Sequence, residues 1–167
     1  MTQPRPDPVA PADQSARILA QTLLAQARHA AIAVLDPDGA PFVSRIALGL
    51  TPDGAPVTLV SALALHTQAL LRDPRCALLV GEPGDKGDPL THPRLTVRAT
   101  ARFVARSDPG HDPLRAHYLA THPKAKLYVD FGDFAFVVLA PLSGLLNGGF
   151  GQAFALSADD LAAPRPV

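Results

Sequence analysis

Between Pro56 and Val80 the chain reads PVTLVSALALHTQALLRDPRCALLV, and this stretch limits the architecture more than any other. Val57, Leu59 and Val60 read as a buried strand. The polar pair His66-Thr67 then opens the apolar segment Ala69-Leu70-Leu71, which stops at Arg72-Asp73-Pro74 because a proline disfavours helix in the residue before it. Cys76 to Val80 is a second apolar strand. A strand that hands over to a helix so quickly brings Ser61, His66 and Thr67 to the helix N-terminus. Unpaired backbone N–H groups and the helix dipole favour an anion there, and a phosphate fits. In the plainer reading, Ser61 ends a strand and Thr67 caps the helix.

Bulk properties bound the rest. A chain of 167 residues suits one domain with one core. Residues 1–12 carry four prolines and little to bury, so they are expected to form a disordered tail, with a single domain over residues 13–163. Fifteen basic and fifteen acidic residues argue against a nucleic acid or a membrane surface as the main partner, since both need a basic excess; a small molecule is the expected partner. The single cysteine, Cys76, excludes an internal disulfide. With no basic segment leading into an apolar run, a cytoplasmic location is expected.

Asp13 opens a helical pattern, with Ala16, Leu19, Ala20, Leu23 and Ala27 on one stripe. Two near-copies follow, Leu35-Asp-Pro-Asp-Gly-Ala-Pro41 and Leu50-Thr-Pro-Asp-Gly-Ala-Pro56. Each suits a type I turn closing into a bulge, so the runs around them predict a three-stranded antiparallel meander. In its middle strand Ser44, Ile46 and Leu48 share one face, and Val43, Arg45 and Ala47 the other. Arg45 is either a solvated edge residue or a cavity-facing phosphate ligand, and both readings stand. Arg94 to Val104 alternates as a half-buried strand, and Asp112 to Thr121 is a helix with Leu114 and Tyr118 turned inward. His111, His117 and His122 do not share a helical face, so no metal site is expected. Gly148-Gly149-Phe150-Gly151 lets backbone approach another strand or a flat ligand closely. Nucleotide-binding and nucleophile-elbow motifs are absent, which leaves the chemistry to a cofactor.

The order of these motifs resembles the pyridoxamine 5'-phosphate oxidase-like FMN-binding split-barrel family, in its haem-utilisation (HugZ/HutZ-like) branch. The resemblance rests on Ala16-Arg-Ile-Leu19 with Arg28-His-Ala-Ala-Ile-Ala33, the hairpin Asp36 to Ser44, and Ser61-Ala-Leu-Ala-Leu-His-Thr67. Tyr118-Leu-Ala-Thr-His-Pro123, Phe131-Gly-Asp-Phe134 and Gly148-Gly-Phe-Gly151 complete it.

The resemblance implies a mainly β split barrel of antiparallel strands with flanking helices. It also implies a homodimer holding FMN at the subunit interface, and a flavin-dependent oxidoreductase acting on a small substrate. Arg45, Ser61, His66 and Thr67 would then anchor the phosphate, while Gly149 and Phe150 line the ring or substrate space. Two departures matter. A lysine expected near the end of the second strand falls at about Leu50, and a Ser-Arg-Lys run has become Leu65-His66-Thr67, which thins the phosphate clamp. Haem-degrading members use a histidine near the C-terminus as iron ligand, and none follows His122 here. The alternatives are a haem-binding or haem-degrading protein with its ligand elsewhere, a non-catalytic cofactor-binding or storage module, and a deazaflavin in place of FMN.

Overall fold

The computed structural model describes residues 8–149 and 151–162. In chain order the elements are β1 (Val9–Pro11), α1 (Gln14–Gln26), β2 (His29–Leu35), β3 (Pro41–Ala47), β4 (Gly49–Leu50), β5 (Pro56–Ser61) and α2 (Leu65–Arg72). They continue with β6 (Arg75–Val80), β7 (Arg94–Val104), α3 (His111–Thr121), β8 (Phe134–Gly149), β9 (Gln152–Ser157) and α4 (Ala158–Leu161). The strands join into one mixed sheet in the order β1-β9-β8-β7-β6-β2-β3, with β5 pairing both β4 and β8.

β8 makes this sheet a split barrel. Its first half, from Phe134 to Val138, pairs with β5, its second half pairs with β9, and β7 runs along the other edge of both. One side chain, Leu142, is extra in the β7–β8 register, which steps between Arg98 and Ala99. Pro141 sits at that bulge, where a missing N–H costs little.

Two apolar clusters hold the fold together. Inside the barrel Ile32, Leu48, Leu78, Val97, Leu139 and Leu146 pack with Ala16, Ala20 and Leu24 of α1. On the opposite face Val57, Leu59, Phe136 and Val138 pack under Leu114 and Tyr118 of α3. β5 is therefore buried on both faces, which explains its unbroken apolar run. α1 is capped by Asp13, whose Oδ1 accepts the Ala16 N–H at 2.8 Å. Both Asp-Gly turns close as expected: Gly39 N–H donates to Asp36 O and Gly54 N–H to Thr51 O, each at 2.9 Å, with both glycines at positive φ. Among the described residues no helix is long and apolar enough to cross a membrane.

Three expectations need correction. The tail expected over residues 1–12 does not reach residue 12, because Val9–Pro11 lies parallel to β9 as an edge strand. An edge position tolerates Pro11; residues 1–7 lie outside the described ones. The meander holds only for β2 and β3. The chain leaves β3 at Leu48, β4 pairs with β5 over two residues, and the main partner of β5 is β8. Finally, Ala135 to Ala140, which reads in sequence as a strand separate from the run Gly144 to Phe150, continues through Pro141 and Gly144 as the single strand β8, with β9 as its return.

Candidate functional site

The turn from β5 into α2 is knitted to the segment ahead of β8. Ser61 Oγ donates to Asp133 Oδ2 at 2.7 Å and accepts the Leu63 N–H at 3.1 Å. The Ala62 N–H donates to the Asp133 carbonyl at 2.7 Å. An anion approaching the Ser61 hydroxyl would therefore meet a carboxylate. The N-cap of α2 is Ala64, with no side chain to satisfy the first N–H groups, so Thr67 is not the cap. Thr67 lies in the first turn, buried, and its Oγ1 has no hydrogen-bond partner among the described residues.

His66, on the same turn, reaches across to β3, where its Nδ1 lies 2.9 Å from Ser44 Oγ. Burial lowers its pKa below the ordinary 6.5, so at neutral pH the ring adds no fixed positive charge to the turn.

Arg45 is the neighbour of Ser44 and so points to the opposite, outer face of the sheet. It has no hydrogen-bond or ion-pair partner among the described residues. Register places it opposite Ala31, itself opposite Leu79, so one cross-strand row forms the floor of a cleft of about 260 Å³. The loop between β6 and β7 walls this cleft with Pro89, Leu90 and His92, and His29 and Arg94 stand at its margin. The wall is held in place. His92 Nδ1 accepts the Gly84 N–H at 3.2 Å, its Nε2 lies 2.8 Å from Lys86 O, and the Arg94 guanidinium donates to Leu90 O at 3.0 Å.

Gly149 ends β8 at φ 137°, and a Cβ there would stand 3.3 Å from the Thr91 carbonyl of that same loop. Phe150 lies outside the described residues. Five of the six expected site residues thus sort into a turn (Ser61, His66, Thr67), an outer-face cleft (Arg45) and a hairpin end behind the cleft wall (Gly149). Sequence reading missed Ser44, Asp133, His29, Glu82 and Arg94 as parts of these sites. A histidine opening the otherwise apolar run HAAIAVL was the one local signal available.

Residues 18–146, most of the chain, match the family model described as pyridoxamine 5'-phosphate oxidase. The chain belongs to this family. The chloroplastic non-canonical heme oxygenase HOZ of Arabidopsis thaliana is 38% identical over 118 residues, 70% of this chain. The chain spans only 35% of that relative's length. A heme binding protein from Mycobacterium smegmatis is 30% identical with a TM-score of 0.81, over 90% of this chain and 61% of that one. Another solved structure, 45% identical with a TM-score of 0.83, matches 92% of this chain and 99% of its own.

Proposed function

We propose that this chain binds haem in the outer-face cleft, as a homodimer whose second copy closes the cleft. The cleft itself carries the reading. Cationic Arg45 and Arg94 suit propionates, Ala31, Leu79, Leu90 and Pro89 offer apolar surface to a porphyrin face, and a histidine stands at the margin. Relatives that are a heme oxygenase and a heme binding protein support the same class of ligand. At about 260 Å³ the cleft lies below the roughly 300–1,000 Å³ of typical ligand pockets, so a second wall is required. Val43, Leu79 and Leu145 are exposed on that same sheet face and suit burial against another copy. Bound haem would supply redox-active iron, and the chain's part is to bind, orient and shield it.

Flavin-dependent oxidoreduction on FMN is the second reading, favoured by the family match and by Arg45 on β3, which has no partner among the described residues. The β5–α2 turn fits a flavin phosphate poorly, because Ser61 is engaged by Asp133 and His66 is neutral. Titration of the purified protein with haemin and, separately, with FMN divides the two. Saturable haemin binding with a shifted Soret band, weakened in Arg45→Ala, is the expected result. Saturable FMN binding with no haemin binding would replace the haem reading by the flavin one.

A further inference from the structure

We infer that His29, backed by Glu82, is the residue that ligates the iron of a haem held in the outer-face cleft; this rests on the haem reading above. The chain contains six histidines. Five are engaged or misplaced. His66 holds Ser44 inside the fold. His92 uses both ring nitrogens to fold the loop around Gly84 and Lys86. His111 is buried, with its ring edge-on to Phe136 and Nδ1 3.2 Å from Asp112. His122 stacks on Tyr118 at 4.3 Å, with Nδ1 on Thr121 Oγ1 and Nε2 on Arg28 O. His117 is exposed on α3, away from the cleft lining.

His29 differs in each respect. It lines the cleft with Arg45, on the same outer face as Ala31 two residues on. Its side chain is 44% exposed, and among the described residues only Nδ1 has a polar neighbour, the Glu82 carboxylate at 3.8 Å. Nε2 is left open. At 3.8 Å the Glu82 carboxylate stands beside Nδ1 beyond hydrogen-bond distance, so Nε2 is the nitrogen open to a metal, and a small approach of Glu82 would let it orient the ring as carboxylates do for metal-binding imidazoles. Glu82 comes from the β6–β7 loop, so the wall of the cleft and the orientation of the ligand are one unit.

The test is haemin titration of the full chain followed by absorbance and resonance Raman spectra of the loaded protein. The variants are His29→Ala, His29→Gln, Glu82→Gln and the control His117→Ala. His29→Ala and His29→Gln are expected to weaken haemin binding by about ten-fold or more and to remove the iron–histidine signature. Added imidazole is expected to restore that signature, and Glu82→Gln to shift it while weakening binding less. His117→Ala is expected to match wild type, and an unchanged circular dichroism spectrum shows that each variant is folded. Wild-type binding with unaltered spectra in folded His29→Ala and His29→Gln would overturn this ligand assignment and leave the haem reading standing. Absence of haemin binding by wild type would overturn both.

Discussion

At the scale of single residues, the clearest consequence of the fold is the behaviour of His66. Its ring is half-buried against Ser44, and desolvation lowers its pKa in the folded protein. The unfolded chain therefore binds a proton more readily than the native one. Where that is so, stability rises with pH. The contribution of His66 is complete above its ordinary pKa of 6.5 and is lost as pH falls through 6.5 towards the lower folded value. Urea midpoints at pH 7.5 and 5.5 are expected to drop on acidification in wild type and to drop less in His66→Gln; equal drops would show that other groups carry the acid sensitivity. The sequence named His66 but hid its role, because Ser44 lies on another strand. Ser61 was likewise legible as a residue and illegible as a bond, since Asp133 joins it from the far side of the chain. By contrast, the buried thiol of Cys76 was readable from its strand, and burial pushes its pKa up to about 11.

At the scale of elements, what the sequence discloses depends on whether the determinant is local. The alternation of β7 predicts its span, from Arg94 to Val104, and both Asp-Gly turns follow from turn chemistry. β8 was not legible as one strand, because a proline and a glycine inside it look like breaks until a bulge accommodates them. β1 was missed because Pro11 looks like a break until an edge position accommodates it. The cleft depends on a further non-local feature, the register that sets Arg45 beside Ala31 and Ala31 beside Leu79. Its wall depends on Gly81, at φ 99°, where a Cβ would stand 2.5 Å from the Pro93 carbonyl. Gly81→Ala should therefore push the two ends of the β6–β7 loop apart and cost about 2–3 kcal/mol, from left-handed backbone strain plus overpacking. Gly39→Ala is the matched control, with φ 79° and nothing within 4 Å of the new methyl. Only the backbone term of about 1 kcal/mol applies there. Chemical denaturation is expected to rank the two in that order, and only Gly81→Ala should also weaken haemin binding.

At the scale of the whole molecule, the outer sheet face decides whether one copy suffices. A single row crosses six strands as Arg45, Ala31, Leu79, Thr96, Leu145 and Ala155. Four of these six side chains are alanine or leucine, and Leu79 and Leu145 are 46% and 38% exposed. Val43, two residues from Arg45 on the same face, is 62% exposed. A sheet face facing water normally alternates to polar residues, so apolar side chains along such a row argue for a covering surface. With charges balanced at fifteen of each sign, no net repulsion opposes a second copy. Leu145 does not line the cleft, which makes it a clean probe: Leu145→Glu removes apolar contact without touching Arg45 or His29. Light scattering is expected to show a dimer for wild type and a monomer for Leu145→Glu. If the second copy is the missing wall, the variant should bind haemin more weakly although every cleft residue is intact. A monomeric variant with wild-type haemin affinity would confine the site to one copy, and a wild-type monomer would leave the exposed row without the partner argued for it.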